Sequence, residues 1–285
     1  MSYSIATIRL LRRVSLYPKP LTNHIPPFKI TGFKRLVDPR MPHSVHTTPG
    51  ATTPVATDQS DLPLGQRYWN ANLPEQKWVE ECPDFLLGQG EKNIGILSSG
   101  EDEYKYLTWP ESKALVNANR IDYFQRSPLE LRRYLQYMFK LKQQYGSVLS
   151  FVQQERLHWK SISPSAEPLF TNPDDYTILY NDWPYGIDRD ITHLVVWTKF
   201  LLDDDPETGY LTTEHHDLIE DFVRRTFCTD EGISRENLIW FKNWKSLKSV
   251  HALEHFHVML YRAPPEFVKR ITNGDRPTSA TVTDL

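Results

Sequence analysis

Three features of the 285-residue sequence predict an α+β fold. The first is a pair of short apolar runs joined by a polar turn, in "YTILYNDWPYGIDRDITHLVVWTKFLL". The second is "TTEHHDLIEDFVRRTF", whose apolar residues recur at helical spacing. The third is two further short apolar runs, "ENLIWFKNW" and "LEHFHVMLY". Strands joined by short connections pair antiparallel, and a helix on one face of such a sheet is an α+β arrangement.

Taken in chain order, residues 1–64 are rich in Pro, Ser and Thr and read as a disordered basic leader and linker. Residues 1–40 hold eight Lys or Arg against a single acid, Asp38. On a helix, Arg9, Arg12 and Arg13 would lie opposite Ile8, Leu11 and Val14. That pattern suits a mitochondrial presequence. It equally suits a dispensable basic tail, or a chain that starts at Met41. A single domain is expected over residues 65–263, with Trp69, Trp78, Phe85 and Leu86 anchoring the edge of its core.

"SPLELRRYLQYMFKLKQQYG" predicts a helix ahead of the sheet. Ser127 suits the N-cap, Pro128 the first helical position, and Glu130 the third member of a capping box. Leu131, Leu135, Met138 and Leu141 form its apolar stripe, and Gly146 ends it. "SVLSFVQQERLHW" continues as helix or extended chain. "YTILY" is a strand, and "ITHLVVWTKFLL" is a nearly continuous apolar strand buried on both faces. "DDDPETGYLT" is an acidic loop. In the next helix Leu218, Ile219, Phe222 and Val223 face inward, with acids early and arginines late as the helix dipole favours. Beyond Pro264 and Pro265, a tail over 264–285 is expected to lose order towards Leu285.

Composition excludes several classes. A hydrophobic content of 39% with eight Trp is enough for a sizeable core. The basic residues concentrate in 1–40, so the rest is acidic and no nucleic-acid partner is expected. Two cysteines, Cys82 and Cys228, make no disulfide framework and point to a reducing compartment. No apolar run approaches the ~20 residues that span a bilayer, so no membrane partner is expected.

The chemistry centres on "SVHALEHFHVML". His251, His255 and His257 occupy odd positions and share one face if this is a strand. Residues four apart on a strand stand about 13 Å apart, so His251 and His255 cannot share a metal without a bulge. No cofactor is expected, and a metal hydrolase that uses His255 and His257 as two ligands is the minor alternative. A neutral imidazole can instead attack phosphorus, given an orienting partner and donors for the phosphate oxygens. Lys248 and Ser249, in the preceding loop, are candidate donors. The remaining possibility is that His255 and His257 are hydrogen-bonded strand residues and nothing more. At the end of the first strand, Asn181 and Asp182 suit a ribose diol and Trp183 suits stacking on a base. They equally suit a tight turn. His193 opens the strand that follows.

Together "NDWPYG", "HLVVWTK", "LIWFKNW" and "HFHVML", over about residues 175–262, resemble the histidine-triad superfamily in letters and in order. The first two resemble most the transferase branch that includes galactose-1-phosphate uridylyltransferase and dinucleoside-polyphosphate phosphorylase. That resemblance implies a nucleotide or nucleotide-sugar ligand, with Asn243 as the strand-end asparagine. The nucleophile would be His257 in the transferase branch, or His255 if the middle histidine of an H-x-H-x-H pattern acts. Met259 stands where that branch has Gln, and Leu253 where the other has the first His. The loop "WKSLKSV" has none of the glycines that let backbone N–H groups approach phosphate. Residues 67–262 also resemble the fungal family named for N-acetylglucosamine-induced protein 1, through "YWNANLPEQKWVEECPDFL", "NDWPYGIDRDITHLVVWTK" and "LKSVHALEHFHVMLYR". This implies a cytoplasmic protein linked to an amino-sugar response. The expectation is thus a nucleotidyl transferase or hydrolase, or a non-catalytic regulatory or scaffolding protein on the same fold.

Overall fold

The structure, a computed structural model, describes residues 59–230, 232–244 and 253–282. Most of the expected leader lies outside the described residues, as do Lys248, Ser249 and His251. Four helices come first: α1 (Glu91–Ser98), α2 (Trp109–Asn117), α3 (Pro128–Tyr145) and α4 (Val148–Phe151). The last runs directly into a π-helical turn, Val152–Leu157. Strands β1 (Tyr176–Tyr180) and β2 (Ile191–Thr198) follow, then α5 (Thr213–Phe227), β3 (Leu238–Phe241) and β4 (Glu254–Tyr261). Two short helices close the chain, α6 (Pro265–Ile271) and α7 (Thr278–Thr281).

The four strands form one sheet in the order β1-β2-β4-β3, with every pair antiparallel. The α+β expectation holds. Side chains alternate between sheet faces, and the two faces here are buried by different parts of the chain. Leu194, Val196, Phe256, Val258 and Leu260 pack on Ile219, Phe222 and Val223 of α5 and on Phe267 of α6. The opposite face carries His193, His255 and His257, which the register aligns: His193 pairs with Met259, Val195 with His257 and Trp197 with His255. The segment before the sheet covers this face. Leu107, Trp109, Leu115 and Phe124 pack on Ile191, Ile239, Phe241 and Met259. Leu141, Phe151 and Val152 pack on Leu179 and Leu253.

Helix α3 begins and ends where its sequence indicates, because Ser127 Oγ accepts the Glu130 N–H and Gly146 adopts φ 75°. The capping box is only half built. Glu130 turns its carboxylate to Arg133 Nη1 at 2.7 Å, a charged partner one turn on, in place of the neutral Ser127 N–H. Ser127→Ala should therefore destabilise the fold by about 1 kcal/mol, read as a lower urea midpoint with an unchanged slope.

The turn from β1 to β2 is held by the segment that covers it. Gly186 N–H donates to Gln125 O at 2.7 Å, and Gly186 O accepts the Leu107 N–H at 3.0 Å. A Cβ at Gly186 would collide with the Tyr104 ring, so only glycine permits this approach.

Within the expected C-terminal tail, residues 264–282 are described and include two short helices. Pro265 starts α6, Gly274 turns the chain at φ 76°, and α7 docks beside β1. Buried charge explains the docking. Arg156 forms a two-point ion pair with Asp275 (2.7 and 2.9 Å) and also reaches Asp182 at 3.0 Å. Among the described residues no helix is long and apolar enough to cross a membrane.

Candidate functional site

The histidine face borders a cavity of about 150 Å³. Its polar lining includes Arg126, Asn181, Tyr185, Asn243, His255 and His257. β4 supplies both lining histidines, the ends of β1 and β3 supply the asparagines, and Arg126 comes from the segment just ahead of α3. Thus β4 parity, read from sequence, does bring His255 and His257 to one place.

Two of the histidines sit in a closed hydrogen-bonded row. Asn181 Oδ1 accepts the Trp183 N–H at 3.0 Å, which turns its amide nitrogen towards His193, 3.2 Å from Nε2. His193 Nε2 lies 3.0 Å from His257 Nδ1, and His257 Nε2 lies 3.0 Å from Asn243 Nδ2. Each contact in the row pairs one donor with one acceptor, and the tautomers of the two rings set its direction. Both rings are neutral in this pattern. Burial is the main cause, with Arg126 adding to it: His193 is pushed down to about 3. His257 falls well below its ordinary value through burial, then through His193, His255 and Arg126.

His255 differs. Its Nδ1 lies 3.0 Å from the Leu253 carbonyl, which can only accept, so Nδ1 carries the proton and Nε2 the lone pair. Trp197 packs on the ring at 4.5 Å between centroids. The Leu253 contact fixes the His255 tautomer.

Two residues expected to meet the ligand line the cavity and also have protein partners. Asp182 was expected to meet a ribose, but its carboxylate accepts from Thr278 N and Oγ1 (2.9 and 2.6 Å) and from Arg156 Nε. Its position beside the docked C-terminal segment uses both oxygens. Trp183 was expected to offer a ring face to a base. It is 3% exposed, with Arg133 over the ring and Tyr134 and Tyr137 packed against it.

Arg126 and Arg156, missed in the sequence, both line the cavity. Arg156 lies in the π-helical turn, a geometry often found at functional sites. Burial would lower its guanidinium, but Asp275 and Asp182 outweigh that and raise it. Arg126 Nε and Nη2 both donate to the Trp183 carbonyl (3.1 and 2.7 Å), and its guanidinium stacks over Tyr134 at 4.1 Å. Tyr137 is pushed up to about 12 by burial and by Asp182. Among the described residues no group of three or more His, Cys, Asp or Glu is arranged to hold a metal ion.

A second cavity, about 510 Å³, lies against β3 and is lined by Tyr210, His216, Trp240 and Trp244 among others. It shares Asn243 with the first but none of the three histidines.

The model of the family described as "Protein of unknown function (DUF3605)" matches residues 108–261, which contain every site residue above except Asp275 and Thr278. The chain is 29% identical over 197 residues to N-acetylglucosamine-induced protein 1 of Candida albicans, across 62% of this chain and 77% of that one. It is 22% identical over 170 residues to an uncharacterized protein of Saccharomyces cerevisiae, across 58% and 84% respectively. Among solved structures it is similar to the crystal structure of HTC1, with a TM-score of 0.45 and 22% identity, over 59% of this chain and 94% of that chain.

Proposed function

We propose that this chain, which belongs to the DUF3605 family, binds a nucleotide or nucleotide-sugar on the histidine face of its sheet. The observation that carries the reading is convergence: Asn181, Asn243, His255 and His257 all line one cavity, and His193 is bonded into the same row. The histidine-triad resemblance of the four matching segments supplies the ligand class. The name of the Candida relative adds amino-sugar nucleotides to the ligands worth testing. A cavity near 150 Å³ is about what a single benzene-sized ring fills. The enclosed part therefore takes one ring or one phosphoryl group, with the rest of the ligand outside.

Within this reading His255 is the nucleophile. Its Nε2 lone pair would form the N–P bond while the P–O bond to the leaving group breaks, and water would later cleave the N–P bond. A panel of UDP-sugars, ADP and dinucleotides tests binding. At a hundredfold excess over Kd a ligand of the native state adds about 2.7 kcal/mol of apparent stability, a readily measured rise in Tm. If nothing in the panel at millimolar concentration moves Tm, the proposal fails.

One observation favours a second reading, a non-catalytic binding protein on the same fold. The row from Asn181 to Asn243 satisfies both ring nitrogens of His257, as a structural network does. Incubation with α-³²P-labelled nucleotide separates the two. Acid-labile label on the wild type, absent from His255→Asn, supports catalysis. Ligand binding without label supports the second reading.

A further inference from the structure

We propose that Arg126 is the anion-recognising group of this cavity, so that the ligand presents a phosphate or another planar-fork acceptor to it. The inference rests on the histidine-face cavity being the ligand site. Three observations carry it. First, the guanidinium lines the cavity yet has no carboxylate within ion-pair distance among the described residues, whereas Arg156 beside it is claimed by two. Second, its orientation is fixed. The Nε–Nη2 edge grips the Trp183 carbonyl, while Tyr134 and Tyr185 lie against the guanidinium at 4.1 and 5.4 Å. The Nη1–Nη2 edge has no acceptor among the described residues, and two parallel N–H donors on that edge match two oxygens of a phosphate or carboxylate. Third, the other charged groups of the lining are already committed: Arg156 and Asp182 are paired with each other, and His193 and His257 are held neutral by burial. The N-terminus of α3 does not compete for the anion, since Ser127 Oγ and Glu101 Oε2 take its first amides. A guanidinium without a carboxylate partner among the described residues, in a cavity whose other charges are paired, attracts an anion and orients it.

Calorimetric titration of the full chain with orthophosphate, UMP and uridine tests this. The wild type should bind UMP more tightly than uridine. Arg126→Gln should lose about 30-fold in UMP affinity with uridine affinity unchanged, and Arg126→Lys, which keeps the charge but not the fork, should fall between. Equal wild-type affinity for UMP and uridine, or phosphate binding undiminished in Arg126→Gln, overturns the assignment. Phosphate binding that depends on Arg126, with no nucleotide binding at all, upholds the assignment and removes the nucleotide reading. If Arg126→Gln does not fold, phenylglyoxal labelling of the wild type decides. Protection of Arg126 by orthophosphate supports the inference, and an unchanged labelling rate overturns it.

Discussion

Asp275→Ala is expected to lose about 3 kcal/mol of stability, the cost of leaving a largely buried charge without its partner. The carboxylate makes both contacts to Arg156, and its Oδ2 also accepts the Tyr180 N–H at 2.8 Å. Both side chains are well shielded, at 14% and 10% exposed, so this is no surface ion pair. Removing the carboxylate leaves Arg156 with Asp182 alone and leaves a strand-end amide unsatisfied. Asp275→Asn keeps an acceptor for Tyr180 and should lose less. Urea unfolding of both variants, with Arg156→Ala closing a double-mutant cycle, measures the coupling. A loss under about 1 kcal/mol for Asp275→Ala would show that the C-terminal segment is not held by this pair. Because Arg156 also positions Asp182, next to Asn181, ligand affinity should fall with stability.

Mild acid should produce the second large effect. His193 titrates near 3 in the fold and His257 well below its ordinary value, whereas both titrate near 6.5 when unfolded. Between these limits the unfolded chain binds more protons than the folded one, so stability rises with pH. The contribution is complete above about pH 6.5 and is lost as pH falls towards 3. Each histidine costs about 1.4 kcal/mol per pH unit in that window. From pH 6.5 to 4.5 His193 alone accounts for about 2.3 kcal/mol, and His257 acts in the same direction. Most carboxylates remain ionised above pH 5, so urea midpoints at pH 7.5 and 5.0 isolate the histidines. His193→Asn should flatten the dependence. Equal wild-type stability at the two values would mean that the row tolerates charge.

What could be read from the sequence was local. Strand parity placed His255 and His257 on one face, and the spacing of Ile219, Phe222 and Val223 identified the buried side of α5. Cap chemistry set the ends of α3. What escaped was long-range. The partners of Arg126, Arg156 and Asp182 lie 57, 119 and 96 residues away. No periodicity reports a contact across such intervals. Asp182 illustrates the gap: the chemistry of a strand-end carboxylate is legible, but its contact with Thr278 in the C-terminal segment is not. Arg126 had no signal of its own, being a single basic residue ahead of a helix cap.

β4 is hydrogen-bonded on both flanks, to β2 along its length and to β3 from Phe241 to Leu238. A strand gripped on two sides cannot slide, since a one-residue slip would turn every histidine to the wrong face. The 3.0 Å contact between Asn243 and His257 is therefore independent of how many residues join them. A search for relatives that fixes the interval from asparagine to histidine would pass over sequences that differ only there. One built on alternation, two histidines a residue apart on a central strand with a third on its neighbour, would find them.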